Sequence, residues 1–150
     1  MNRCFSTCTG NYFRDPTTRM CVPVCPYGYF GDISNLRTCT PTCSVLTEFG
    51  NPLNRLCVVQ TSCPAPYLFA DNYTRQCVTR CPESQNTFGD ISTNACVADC
   101  PWNTTSNYYT YRDPSTQSCV TACPSNPSYY RYNGTIAICT SGCPAPYFAV

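Results

Sequence analysis

Hydrophobic positions in this chain recur as short aromatic segments, each followed two residues later by Asp or Asn. An Asx residue at the first position of a turn accepts hydrogen bonds from the backbone that follows it. Aromatic pairs such as Tyr67 and Phe69 also show the period-2 alternation of a strand. The pattern therefore predicts, in each arm, a short strand, an Asx turn and a second short strand. The aromatic residues are Phe13, Phe30, Phe49, Phe69, Phe88 and Tyr111, and the matching Asx residues are Asp15, Asp32, Asn51, Asp71, Asp90 and Asp113.

The seventh arm departs from this pattern. Asn133 stands at the expected distance before the next cysteine, but Arg131 occupies the aromatic position, with Tyr130 and Tyr132 on either side. The alternation of Tyr130 and Tyr132 still predicts a strand there.

Sixteen cysteines set the register of these arms. They fall into eight pairs, seven of them spaced C-x3-C, while the Cys57/Cys63 pair is two residues longer. Proline follows the second cysteine in six pairs, and valine follows the first in five. A shared register of this kind is the signature of a repeat architecture. We therefore predict a single array over residues 1–150, uncapped at its C-terminal repeat, with arms at 9–20, 26–38, 44–56, 64–76, 82–95, 101–118 and 124–138.

A single hairpin of this size is marginal in water, whereas stacked and crosslinked hairpins bury their aromatic side chains between them. The predicted fold is therefore small, disulfide-rich and mostly β or irregular, an elongated, solenoid-like stack of short hairpins with little or no helix. Leu, Ile, Val and Phe make up only one residue in six, too few for an ordinary aliphatic core.

Disulfide formation is the favoured role for the cysteines, because such a density is typical of secreted, crosslinked scaffolds. Zinc sites would need four thiolates each, since the chain contains no histidine. A redox centre is disfavoured because C-x3-C differs from the C-x-x-C arrangement. We predict disulfides at Cys4, Cys8, Cys21, Cys25, Cys39, Cys43, Cys57, Cys63, Cys77, Cys81, Cys96, Cys100, Cys119, Cys123, Cys139 and Cys143.

The repeat leaves two pairing schemes open. One joins equivalent cysteines of successive pairs, such as Cys4 with Cys21, and uses all sixteen. The other closes each arm, beginning with Cys8 to Cys21, and leaves Cys4 and Cys143 unpaired.

The two ends suggest self-association. Residues 143–150 copy residues 63–70, which continue into an Asx turn and the next cysteine. An open array can be completed by a neighbouring copy, and head-to-tail addition builds a filament. Under the arm-closing scheme Cys143 of one copy can bond to Cys4 of the next. The candidate subunit contacts are Cys4, Cys143, Tyr147 and Phe148.

Three N-glycosylation sequons occur, at Asn72, Asn103 and Asn133, so we expect attached glycans. We predict no enzyme, because the chain has neither His nor Lys and its eight carboxylates are scattered singly. No catalytic residue, cofactor site or metal site is predicted. Nine arginines without a basic stripe do not indicate nucleic-acid binding, and no segment is apolar and long enough to span a membrane.

The combined register of Cys-Val-x-x-Cys-Pro, an aromatic residue and Asp resembles furin-like, growth-factor-receptor cysteine-rich repeats. Two examples are the stretches over residues 21–39 and 77–96. In style it is closest to arrays of cysteine-rich repeats on surface proteins of protists, especially of the ciliate type. The resemblance implies a rod of small disulfide modules outside the cell, with a stalk, coat or assembly role.

These observations lead to an expected function and one alternative. The expectation is an extracellular or cell-surface structural glycoprotein, a rod, coat or filament-forming subunit that assembles end to end. The alternative is the cysteine-rich binding region of a receptor ectodomain that recognises a protein ligand. Its contact strip would use the surplus tyrosines of the last third, namely Tyr108, Tyr109, Tyr111, Tyr129, Tyr130 and Tyr132.

Overall fold

A computed structural model describes Cys4 and residues 6–103, 108–125, 130–133, 137–143 and 145–146. The chain forms two compact units, Met1–Val78 and Thr79–Val150. The predicted fold class is confirmed: each unit is a disulfide-rich stack of short β-hairpins, and the described residues contain almost no helix. No helix in the described ranges has the length and apolar character needed to cross a membrane.

The described residues of the first unit form four antiparallel hairpins. Its strands are β1 (Phe13–Asp15), β2 (Met20–Val22), β3 (Phe30–Asp32), β4 (Thr38–Thr40), β5 (Glu48–Asn51), β6 (Leu56–Val59), β7 (Phe69–Asp71) and β8 (Gln76–Val78). A short 3₁₀-helix, Gln60–Ser62, lies inside the stretched Cys57/Cys63 pair. The extra residues of that pair are thus accommodated between two hairpins, which keep the common pattern.

In the second unit, the part of the chain that the structure describes forms three further hairpins and a two-stranded ribbon. Its strands are β9 (Phe88–Asp90), β10 (Ala95–Val97), β11 (Trp102–Asn103), β12 (Tyr108–Tyr109), β13 (Tyr111–Asp113), β14 (Ser118–Val120), β15 (Tyr130–Asn133) and β16 (Ala137–Thr140), with a 3₁₀-helix at Glu83–Gln85. The ribbon of β11 and β12 uses the additional length of the sixth arm.

Neighbouring hairpins within a unit join through parallel strands. In the first unit β1 lies beside β4, β3 beside β6 and β5 beside β8; in the second, β9 lies beside β14 and β13 beside β16. Strands within one hairpin run antiparallel, so parallel pairing between hairpins makes successive turns point in opposite directions. Each joint is narrow, and at the first one the N–H of Arg14 donates to the carbonyl of Arg37 at 2.7 Å.

The buried Asx side chains hold the turns, as the sequence predicts. Asp71 is 1% exposed; its Oδ1 accepts from the Tyr73 N–H at 3.1 Å and its Oδ2 from the Thr74 hydroxyl at 2.7 Å. The backbone closes around it, since the N–H of Arg75 donates to the carbonyl of Asp71 at 2.9 Å. Arg75 ends the turn at a φ of 59°, in the left-handed region. Most other turns repeat this arrangement.

The strand register of the seventh hairpin differs by one residue from the register expected from its sequence. Arg131 lies opposite Cys139, so it takes the central position that Arg14 and Gly31 occupy opposite their own cysteines. Tyr130 therefore stands at the aromatic position of this arm, and Tyr132 stands where the other arms have Asx. Asn133, the residue expected at the first position of the turn, pairs instead with Ala137.

Candidate functional site

Seven disulfides are formed, and they follow the arm-closing scheme. Each joins the cysteine that precedes a hairpin to the cysteine in its second strand, with Cα atoms 5.5–5.8 Å apart. Their sulfur atoms are therefore unavailable as zinc-binding thiolates. The bonds are Cys8–Cys21, Cys25–Cys39, Cys43–Cys57, Cys63–Cys77, Cys81–Cys96, Cys100–Cys119 and Cys123–Cys139.

Cys4 and Cys143 are free thiols in this structure, although the sequence also predicts them among the disulfide cysteines. Cys4 is exposed and Cys143 is half-buried. In the order of the repeat, Cys143 is the second cysteine of its pair, like the bonded cysteines that precede a hairpin. Cys4 is the first cysteine of its pair, like the bonded cysteines of the second strands. The other predicted contact residues, Tyr147 and Phe148, lie outside the described residues.

An aromatic side chain from one hairpin packs onto the disulfide of the next. Phe13, 5% exposed, clusters with Cys25 and Cys39, and Phe49, 2% exposed, clusters with Cys63 and Cys77. These rings fill slots that the following hairpin provides. The slots, not an aliphatic interior, form the core of the first unit.

The floor of a slot is the central residue of the first strand of that hairpin, and it must be small or adaptable. A Cβ atom placed on Gly31 would lie 2.6 Å from the ring of Phe13, and one on Gly50 would lie 2.5 Å from the ring of Phe30. Glycine is therefore required at both positions because the ring lies directly against the backbone.

The slots are closed by residues that stand two positions before the first cysteine of a pair. The backbone of these residues is in the left-handed region. The guanidinium of Arg75 lies 4.5 Å from the Phe49 ring centroid, and its Nη2 donates to the carbonyl of Glu48 at 2.7 Å. Arg37 faces Phe13 at 5.8 Å and donates to the Gly10 carbonyl. Such contacts combine cation–π attraction with a hydrogen bond from a charged donor.

Sequence reasoning missed this role and treated the arginines as scattered. The signal was nevertheless present, because the residue two positions before the first cysteine recurs in register. The recurring residues are Arg19, Arg37, Arg55, Arg75, Asn94 and Gln117, all with positive φ. Gln117 acts in the same way, donating from its Nε2 to the Thr87 carbonyl at 2.9 Å.

The slot of the first hairpin is open among the described residues. An open groove of about 380 Å³ lies on this face, lined by Arg14, Arg19, Met20 and the Cys8–Cys21 disulfide, among others. Cys21 is exposed, whereas Cys39 and Cys77, at the matching position of later hairpins, are each 1% exposed. The disulfide face of the first hairpin is therefore more exposed, among the described residues, than the matching faces of the second and fourth hairpins.

The three sequons lie in different settings. Asn72 is exposed in the turn between β7 and β8, beside Tyr73, which is 78% exposed. Asn103 is the last residue of β11 and Asn133 the last residue of β15, and their side chains lie outside the described part of the structure. Asn72 is thus the sequon with a defined, accessible side chain.

Of the tyrosines in the predicted contact strip, the structure describes the side chain of Tyr111, and this side chain is buried. Tyr111 is only 7% exposed, since it holds the aromatic position of its hairpin. The side chains of the other five tyrosines in that set are outside the described residues.

One acidic cluster lies between the second and third hairpins. Asp32, Glu48 and Cys57 bring potential ligand atoms within 4.8 Å of one another. Cys57 is bonded to Cys43, and Asp32 accepts from the N–H groups of Asn35 at 2.9 Å and Ser44 at 2.8 Å. The remaining oxygen ligands are too few for calcium, so the cluster is not assigned as a metal site.

Hydrogen bonds lower the pKa of two buried turn carboxylates, those of Asp32 and Asp113. Burial alone would raise the pKa of Asp32, but hydrogen bonds from Ser44, and then Asn35, outweigh it and lower the pKa below its usual value. In Asp113 burial again acts to raise the pKa, and hydrogen bonds from Ser115 and Thr116 outweigh it and lower the pKa. These carboxylates are therefore ionised hydrogen-bond acceptors at neutral pH, which suits turn formation.

No protein-family model, curated protein or solved structure matches the chain at a significant level.

Proposed function

We propose that this protein is an extracellular structural glycoprotein, a rod, coat or filament subunit that assembles end to end. The observation that carries the proposal is the disulfide ladder, in which seven bonds follow one rule and two free thiols occupy complementary positions of that rule. Seven disulfides also suit an oxidising compartment, as expected for a secreted or cell-surface protein. The furin-like and protist surface repeats that the sequence resembles would have a related stalk or coat role.

The covalent joint of this assembly is a bond between Cys143 of one copy and Cys4 of the next. Two thiols lose two protons and two electrons as the S–S bond forms. A low-molecular-weight disulfide, such as glutathione disulfide, accepts the electrons and protons and becomes two thiols. Exposure favours Cys4 as the more accessible partner.

Non-reducing gel electrophoresis and peptide mass spectrometry of the secreted chain test the proposal. The expected result is a ladder of covalent multimers and a peptide in which Cys4 is joined to Cys143. Cys4→Ser should stop growth at dimers at most, since only Cys143 pairs can then form. Thr9→Ser is the matched control, because it changes an exposed residue near the same end, keeps both thiols and should leave the ladder of multimers unchanged.

A chain that stays monomeric, with Cys4 and Cys143 unlinked to each other, would contradict end-to-end covalent assembly. A monomer that binds a protein ligand would instead support the receptor-ectodomain alternative. Occupancy at Asn72, Asn103 and Asn133, measured on the same peptides, decides whether the protein is a glycoprotein.

A further inference from the structure

We propose that an apolar groove beside Asn72 is the packing site for the first sugar of an N-linked glycan carried by Asn72 itself. The inference rests on the proposed glycoprotein and deepens it by naming the surface that the sugar contacts. The groove has a volume of about 420 Å³ and is called here the Asn72 groove; its walls include Leu46, Phe49, Val59, Thr61 and Asn72.

The strand order brings the sequon to this groove. Because β5 and β8 run parallel, the turn of the fourth hairpin lies beside the open end of the third, where β5 begins and β6 ends. Arg75, at the end of that turn, fixes the arrangement: its Nη2 donates to the carbonyl of Val45 at 2.9 Å and to that of Glu48 at 2.7 Å. Asn72 is therefore held at the rim of a groove that another hairpin forms.

The wall of the groove is apolar and accessible. Leu46 is 85% exposed and Val59 is 47% exposed, while Phe49, only 2% exposed, borders the groove from inside. The exposed residues Thr47 and Thr61 add hydroxyl groups to the lining. Covering such aliphatic side chains removes apolar surface from water, which is favourable.

An N-linked sugar has the chemistry and the reach to cover this wall. An N-acetylhexosamine offers an apolar C–H face and an acetyl methyl group to the aliphatic side chains, and its hydroxyl groups bond to threonine or water. The covalent bond to Asn72 keeps the sugar at a high effective concentration at the rim, so a weak contact is enough to hold it there. In the modification the Asn72 Nδ2 bonds to the anomeric carbon of a sugar diphosphate donor, the bond from that carbon to phosphate breaks, and the amide loses one proton.

The turn can carry a sugar without losing its own hydrogen bonds. The Asp71 carboxylate accepts from the Tyr73 N–H and the Thr74 hydroxyl, and the Asn72 side chain is exposed. Thr74 serves both the sequon and the turn, so Thr74→Ala would combine the loss of the glycan with the loss of a turn hydrogen bond. Asn72→Gln removes the glycan and keeps that bond.

The test compares the secreted full chain with Asn72→Gln, both trimmed by an endoglycosidase that leaves one N-acetylglucosamine on each occupied sequon. Mass spectrometry first measures occupancy at Asn72. The thermal unfolding midpoint of the form with the sugar should then be about 3 °C higher, a shift typical of a modest gain in contact. Its amide NMR spectrum should differ from that of Asn72→Gln at Leu46, Thr47 and Val59 as well as in the turn.

A matched pair of leucines separates contact with the groove from a general effect of an attached sugar. Leu46→Ser removes part of the groove wall, whereas Leu53→Ser changes a leucine that is 57% exposed, in the turn between β5 and β6 and outside the groove lining. Each variant is measured with and without the glycan at Asn72. The difference of about 3 °C should fall below about 1 °C in Leu46→Ser and persist in Leu53→Ser.

Equal midpoint differences in all three backgrounds would overturn the groove as a sugar site and keep the glycoprotein. A difference that grows with protein concentration would mean that a second copy fills the groove, which also overturns the inference. An unoccupied Asn72 would reject both the inference and the glycan expected at this sequon, whereas the Cys4–Cys143 peptide decides end-to-end assembly independently.

Discussion

The first hairpin and the fourth hairpin share one sequence pattern but differ in what covers them. Both have a buried aromatic residue, a buried Asp at the turn and a disulfide that closes their own arm. In the fourth hairpin Phe49 lies over the Cys63–Cys77 bond, and both cysteines are at most 5% exposed. In the first hairpin the equivalent bond faces an open groove.

The difference shows that a hairpin of this type is completed by its predecessor. Its own residues make the turn and the crosslink, while the hydrophobic cover comes from the aromatic ring of the hairpin before it. Stability should therefore depend on position in the stack, even where the local sequence is equivalent, as in other arrays dominated by nearest-neighbour contacts.

The largest expected effect comes from removing each of the two disulfides. Cys63→Ala with Cys77→Ala and Cys8→Ala with Cys21→Ala open loops of nearly equal length, with separations of 14 and 13 residues. Each should cost about 3 kcal/mol through loop closure. The buried pair should cost about 1–2 kcal/mol more, because its removal leaves a cavity under Phe49. Urea unfolding under non-reducing conditions measures both, and equal losses would contradict the comparison.

A smaller effect should follow from filling the floor of a slot. Gly50→Ala places a Cβ atom about where the Phe30 ring lies, 2.5 Å away, and should destabilise the chain by about 1–3 kcal/mol through overpacking. Arg14→Ala, at the matching position of the first hairpin, is the control and should change the unfolding free energy by less than about 1 kcal/mol. Thermal unfolding followed by circular dichroism measures both. A tolerated Gly50→Ala would mean that the ring does not rest on this backbone.

The smallest expected effect is on acid stability. Because the folded-state pKa of Asp32 is lowered, its contribution is fully present above the unfolded pKa of about 3.9 and is lost as pH falls through the folded pKa. Asp32→Asn should therefore flatten the loss of stability below about pH 4. The third turn already has an amide at this position, so Asn51→Ala serves as the control and should leave the pH slope unchanged. Unfolding free energies between about pH 2 and 7 decide the point; an unchanged slope in Asp32→Asn would contradict it.

Much of the fold could be predicted because each arm repeats the same short sequence pattern. The aromatic residue, the Asx turn and the cysteine identify the hairpin without tertiary information, and Asp71 behaves as its sequence suggests. The pairing of the cysteines could be narrowed to two schemes and no further. The choice depends on which cysteines the hairpin brings within about 6 Å, and that is a property of strand register.

The joints between hairpins could not be predicted in the same way. The role of Arg75 requires a left-handed backbone and a ring from another arm, and neither is apparent from a charged residue in a polar segment. The parallel pairing of neighbouring hairpins also depends on contacts between separate arms.

The arm-closing disulfides have a mechanical consequence. A pulling force applied along the covalent chain passes from Cys25 directly to Cys39 through sulfur and then through a short link to the next bonded cysteine, so the arm between them carries no load. A repeat can then extend to only about 20 Å, against about 65 Å for roughly 19 unlinked residues. The protein would behave under tension as a nearly inextensible tether whose hairpins are shielded from the force that the tether bears.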